Sequence, residues 1–178
     1  MLTERDWRVI HFVRKVGAAN THQLTDIFFH QNPTICWRRM REIIRHKKLQ
    51  RTRAHLNAPY IYYKNKGHLE HKLLIAEFYR HLKLQQGEYW IIYFEPGCER
   101  EGLIADAYFK IYHKKQELPY FLEIERGTKR FNSEKYETYY CLNKYCPPIV
   151  VVGKKPLTDT IVDIRYLEDL SCLKKVLL

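Results

Sequence analysis

Two groups of residues in this chain have types and spacing that could do chemistry: a few acids and a row of cations. Asp106 lies in LIADAYFKIY, and Glu123 and Glu125 lie in YFLEIE, both runs that read as strands. An Asp and a Glu on neighbouring strands can hold Mg²⁺ through carboxylate oxygens and water. In the nuclease pattern, a lysine two positions beyond the Glu then helps activate the attacking water. Here that position holds Glu125, and a carboxylate cannot supply the cation that stabilises a hydroxide or a developing phosphorane charge. Lys129 and Lys135 are near enough in sequence to substitute from another direction. Glu77, on a preceding helix, completes the acids. Read as a nuclease, the catalytic set is Glu77, Asp106, Glu123 and Glu125, with Asp106 and Glu123 as metal ligands. The missing lysine argues instead for no enzyme and no cofactor. The acids then become strand-end residues paired with Arg126, Lys129 or Lys135.

The cations form the second pattern. TICWRRMREIIRHKKLQRTR, residues 34–53, holds eight Lys or Arg and a single acid, Glu42. At 3.6 residues per turn, Thr34, Arg38, Arg41, Arg45 and Lys48 share one stripe. Cys36, Met40, Ile43 and Ile44 fall opposite, with Trp37 at the edge. A face meant only for solubility mixes signs to gain (i, i+4) pairs, so this one suits a polyanion. Thr34, Trp37 and Arg38, nearest the helix start, are the candidates for base edges of duplex DNA. Arg41, Arg45 and Lys48 suit phosphate, and Arg51, Arg53 and His55 would flank them on a hairpin. For Trp37 the competing place is the core, the commoner fate of an aromatic at a helix edge.

The elements that must position these groups follow from capping and periodicity. Thr3 with Asp6 three residues on predicts a helix that ends near Gly17. Asn20-Thr21 starts a second short helix with Leu24, Ile27 and Phe28 inward, and Asn32-Pro33 starts the basic one, which runs to about Lys48. Leu49–Arg53 and Tyr60–Lys64 read as two strands. Three helices and a hairpin are the order of a winged helix-turn-helix, which places the third helix in the major groove. From residue 67 the order is helix (71–82), strands at 88–94, 103–112 and 120–125, helix (133–142), the buried strand IVVV at 149–152, and a helix near the end. This mixed α/β order, α-β-β-β-α-β, is that of a restriction-endonuclease-like domain, and IVVV expects cover on both faces. The expected organisation is a winged helix over 1–66 and a degenerate nuclease-like domain over 67–178.

Charge supports that division. The formal net charge is +11, of which residues 1–66 carry +10. Such a concentration points to a nucleic-acid-binding module joined to a near-neutral body. No apolar run approaches the roughly 20 residues of a membrane span, and MLTERDWR lacks a signal-peptide core, so a soluble cytoplasmic protein without membrane contact is expected. The five cysteines (36, 98, 141, 146 and 172) form no CxxC; reduced and mostly buried thiols are expected, rather than a metal site of Cys141 and Cys146 with His68 and His71.

The chain resembles the replication-relaxation family of plasmids and integrative elements. The matching stretches are LTERDWRVIHFV, THQLTDIFF, TICWRRMREIIRHKKL, YIYYKNKGHLEHKLLIAEF, IADAYFKI and FLEIERGTKRFNSEKYETYY. The family pattern carries onto His71, Asp106, Glu123, Glu125, Gly127, Thr128, Lys135 and Tyr139 or Tyr140. It departs at Ala105, where a Pro usually precedes the Asp. The resemblance implies an accessory protein that binds duplex DNA at a replication or conjugative-transfer origin. A homodimer is expected because symmetric dimers commonly bind inverted half-sites, and the second domain is expected to recruit or position a partner such as a relaxase or a replication initiator. The alternatives are a metal-dependent endonuclease and a winged-helix transcriptional regulator. In ERGTKRFNSEKYETYY, Gly127 permits a positive φ, Thr128 can cap backbone donors and Asn132-Ser133 can start a helix. Tyr136, Tyr139 and Tyr140 then read as packing against the sheet rather than stacking on single-stranded bases.

Overall fold

A computed structural model describes residues 1–125, 131–153 and 160–178. Among these, the protein is a mixed α+β chain with six α-helices and two sheets. It divides into two compact units, Met1–Leu84 and Gln85–Leu178.

The first unit opens with α1 (Glu4–Val16), capped as its sequence predicts. Thr3 Oγ1 accepts from the Asp6 N–H, and the Asp6 carboxylate accepts from the Thr3 N–H at 2.6 Å. Gly17 ends the helix at φ 90°, and a Cβ there would sit 2.6 Å from the Lys72 side chain. A short strand β1 (Ala18–Asn20), unpredicted because three small or polar residues carry no strand pattern, leads into α2 (Thr21–Phe28). Asn20 and Gln23 form a second reciprocal cap. His30 and Gln31, both at positive φ, turn the chain into α3 (Pro33–Arg45). Strands β2 (Gln50–Thr52) and β3 (Ile61–Tyr63) follow, and β1 pairs antiparallel with β3, giving the order β1-β3-β2. Val9, Ile10, Val13, Ala18, Ala19, Leu24, Cys36 and Ile43 are wholly buried and form the core. Phe29 is buried as well, whereas Ile27 and Phe28, expected inward, are only half-buried.

The expected second domain begins at residue 67, but α4 (Leu69–Leu84) belongs to the first unit. Gln23 on α2 donates to the Leu73 carbonyl and the Glu77 carboxylate, each at 2.9 Å. Arg80 pairs with Asp26, and Tyr79 lies 5.0 Å from the Phe12 ring. A helix read alone does not reveal which partner its buried face will choose.

The second unit is a five-stranded sheet ordered β4 (Trp90–Arg100), β5 (Leu103–His113), β6 (Gln116–Ile124), β7 (Ile149–Val152) and β8 (Ile164–Leu167). The first three strands form an antiparallel meander, and β6, β7 and β8 run parallel. Helix α5 (Glu134–Asn143) covers one face, where Phe121, Tyr136, Phe131, Ile149 and Val151 pack together. Asn132 Oδ1 accepts the Glu134 N–H at its start, while Ser133 makes no capping bond. On the other face Phe109 and Tyr120 stack at 5.2 Å, and the Tyr120 hydroxyl donates to the Leu177 carbonyl of α6 (Leu173–Leu177). IVVV is therefore covered on both sides, as its unbroken apolar pattern requires. Strand β8 was not anticipated, since only Leu167 in IRYL is fully buried. Cys36 and Cys98 are buried, but Cys141 and Cys172 are exposed, so the thiols are not mostly interior.

Candidate nucleic-acid interface

Helix α3 starts where Asn32 Oδ1 accepts the Ile35 N–H at 3.0 Å, with Pro33 in its first turn. Cys36, Met40 and Ile43 face the core, and burial pushes the Cys36 thiol pKa up. Thr34, Trp37, Arg38, Arg41 and Arg45 all stand exposed on the other side. Trp37, at 49% exposure, is not a core residue; the Arg41 guanidinium lies 5.5 Å from its ring centre. Arg38, Arg41 and Arg45 of α3 join Arg51 of β2, together with Glu42 and Ile44, around one open depression of about 460 Å³. Glu42 pairs with Arg45 at 2.6 Å, so that guanidinium is partly neutralised.

Lys48 departs from its expected place. The helix stops at Arg45, and Lys47 at φ 53° redirects the chain so that Leu49 is buried. Lys48 thereby leaves the stripe and lies 5.3 Å from the Trp7 ring. Arg51 and Arg53 flank Tyr60, their guanidinium carbons 4.5 and 5.0 Å from its ring centre. Arg53 also donates to the Leu56 carbonyl at 2.7 Å, shaping the exposed loop that carries His55.

One arginine escaped the sequence reading. Arg39 points away from the stripe and grips the buried Asp6, its Nε donating to Oδ1 at 3.0 Å. Burial pushes the Asp6 carboxyl up, but bonds from Arg39 and Thr3 outweigh this and hold its pKa below the ordinary value. The available signal was position: Arg39 sits beside Met40, off the cationic stripe, while Asp6 falls in the buried register of α1.

The acids separate. Glu77 lies in the first unit, where Gln23, Arg80 (2.6 Å) and His81 (3.2 Å) engage it. His71 is half-buried on the same helix. Asp106 and Glu123 do come together in the second unit, on adjacent strands. The β5–β6 ladder closes at Ala107–Leu122, beyond which Asp106 Oδ2 accepts the Ile124 N–H at 2.7 Å. Glu123 Oε1 accepts from Lys135 Nζ at 2.6 Å and from the Tyr136 hydroxyl at 2.5 Å. Lys135 donates also to the Ile104 carbonyl at 2.6 Å. Desolvation by the packed helix, offset in part by Lys135 and Tyr136, raises the Glu123 pKa. Burial and the neighbouring carboxylate push the Tyr136 pKa far up, so that group stays a hydroxyl donor.

Both carboxylates of this cluster are engaged by protein donors. Lys135 and Tyr136 both occupy one Glu123 oxygen, a backbone amide holds Asp106, and no group of three ligating side chains occurs among the described residues. Glu125 is half-buried; its N–H donates to Val152, and its side chain fills the space that a Cβ on Gly153 would need. Arg126, Gly127, Thr128 and Lys129 fall outside the described residues. Tyr136 is wholly buried and Tyr139 packs edge-on to Phe121 at 5.7 Å, while Tyr140 is exposed and does not join them. No helix among the described residues is long and apolar enough to cross a membrane. Comparisons with family models, curated proteins and solved structures find no match to this chain.

Proposed function

We propose that this chain is a DNA-binding accessory protein of a plasmid or integrative element, acting at a replication or conjugative-transfer origin. The first unit reads as a winged helix-turn-helix, with α3 as the recognition helix and the β2–β3 hairpin as the wing. The observation that carries this reading is the exposed set of four guanidinium groups on α3 and β2 around one depression. Thr34, Trp37 and Arg38 suit base edges, while Arg41, Arg45 and Arg51 suit phosphates on either side. The location at an origin rests on the resemblance to replication-relaxation proteins. The second unit reads as a degenerate nuclease-like domain that positions a partner, whether a relaxase, a replication initiator or a second copy.

Binding titrations over a salt series test the interface. Three phosphate contacts give a slope of log K against log[salt] of about −2.7 on duplex DNA; no affinity at low salt overturns the reading. Footprinting on the parent element's DNA then separates an origin from a promoter, and a promoter footprint makes the protein a regulator.

One observation favours the endonuclease reading. Lys135 reaches Glu123 from α5, supplying from the helix the cation that Glu125 cannot. Incubation of supercoiled DNA with Mg²⁺ or Mn²⁺ decides the matter: cleavage that Asp106→Ala and Glu123→Ala both abolish makes the protein a nuclease.

A further inference from the structure

The face of the β4–β6 meander that bears Asp106 and Glu123 is covered by α5 only in part. Strand pairing places Trp90 beside Tyr112, Tyr93 beside Lys110 and Glu95 beside Tyr108, so these side chains share that face. Trp90 is 65% exposed and Tyr93 and Tyr112 are each 40% exposed. Three aromatic rings therefore stand open to solvent on neighbouring strands of a rigid sheet.

Cations frame the rings. Arg100 lays its guanidinium 4.1 Å from the Tyr108 ring centre, and Lys110 rises from the middle of β5. The two-residue turn between β5 and β6 is Lys114-Lys115, both exposed and both at positive φ, 46° and 67°. Such turns favour Asn-Gly, because an L side chain with a Cβ is strained there. Two adjacent lysines in that turn depart from this preference and present both ammonium groups to solvent. Among the acids of these strands, Glu95 pairs with Arg100, Glu117 with Lys110 and Glu123 with Lys135. The turn lysines add two exposed cations at one end of the aromatic row.

The edge itself is blunted. Strand β4 ends the sheet order but carries a bulge between Ile91 and Tyr93, a proline at 96 and a positive φ at Gly97. These features oppose strand-to-strand pairing with a second copy. The rings are therefore not part of a continuing ladder; Tyr93 packs against the Tyr108 ring at 6.1 Å and still keeps 40% of its surface exposed.

We propose that this sheet face binds single-stranded nucleic acid, with bases stacking on Trp90, Tyr93 and Tyr112 and phosphates tracking Lys110 and the Lys114-Lys115 turn. Aromatic rings stack on any base, so the site is tolerant of sequence, and the cations make it salt-sensitive. The site belongs to the second unit and the duplex-binding surface on α3 to the first, and the proposal stands or falls without that surface.

The test uses the full chain with fluorescein-labelled oligo(dT) and oligo(U) of about 16 nucleotides and a duplex of mixed sequence. Both single strands should bind and quench tryptophan fluorescence; binding of just one identifies the strand as DNA or RNA and also supports the site. The double variant Trp90→Ala/Tyr93→Ala should weaken single-strand binding on the order of 100-fold and leave duplex affinity unchanged. Trp90→Phe should retain most of the binding. Arg38→Ala/Arg41→Ala should give the reverse pattern. Both altered rings are exposed, and a thermal melt checks that each variant is folded. The proposal is overturned if the wild-type chain ignores both single strands, or if the ring variant binds them undiminished. Loss of self-association in sedimentation, with single-strand affinity intact, would assign the face to a second copy instead.

Discussion

Helix α3 and the Asp106–Glu123 cluster both concentrate charge, yet they use it in opposite ways. On α3, Arg38, Arg41 and Arg45 stand exposed with Glu42 as the one carboxylate among them. At the strand ends, Glu123 is enclosed by Lys135 and Tyr136, and Asp106 is fastened to a backbone amide. Charge left in water keeps its long-range field for a partner, whereas charge buried in pairs is already satisfied and mainly fixes structure. Arg38 and Arg39 show both uses on neighbouring residues. Arg38 is offered outward; Arg39, one position on, is drawn inward to a buried acid.

The contrast is sharpest where a paired charge is removed. Asp6→Ala should destabilise the protein by about 3 kcal/mol, since it removes a helix cap and strands Arg39; chemical denaturation measures it, and a loss under 1 kcal/mol would place Asp6 among the dispensable charges. Removing a presented charge should leave stability alone and change binding. Arg38→Ala should cost about 1–3 kcal/mol at one base pair of the target. Arg45→Ala, already held by Glu42, should cost less and should weaken all sequences alike. Identical behaviour of the two variants across a set of mutated sites would erase the distinction between reader and clamp.

The two regions should also respond oppositely to pH. Asp6 has a lowered pKa, so its stabilisation is present above the unfolded value near 3.9 and is lost as pH falls through the folded one. Glu123 has a raised pKa, so its contribution is present below the unfolded value near 4.3 and is lost as pH rises through the folded one. Glu123→Gln should flatten the second slope and keep the first in urea titrations from acid to neutral pH. Asn32→Ala, which removes the cap of α3, should cost about 1 kcal/mol. Smallest of all, Lys48→Ala should leave the salt slope of DNA binding unchanged, because its amine lies on Trp7 instead of in the stripe; a slope reduced by about 1 would put it back among the phosphate contacts.

Much of the first unit was legible because its signals are local. Thr3 with Asp6, Asn20-Thr21 and Asn32-Pro33 are start signals contained within four residues, and a helix begins at each. Strand β1 was missed because Ala18-Ala19-Asn20 has no preference of its own and becomes a strand by pairing with β3. By charge alone Glu77 belongs with the strand acids, but Gln23 and Arg80 claim it in the first unit. Trp37 was weighed as core by type, and its exposure followed from the rotation of α3 about Cys36, Met40 and Ile43.

The sequence by itself determined where the helices start, which side of α3 carries cations and that IVVV must be buried, because capping, periodicity and hydrophobic continuity act over a few residues. Only the tertiary structure decided which charges remain available. Pairing depends on which side chains meet across distant segments, as Asp6 meets Arg39 and Glu123 meets Lys135. Desolvation then fixes how firmly each pair is held, and neither quantity is written in local spacing.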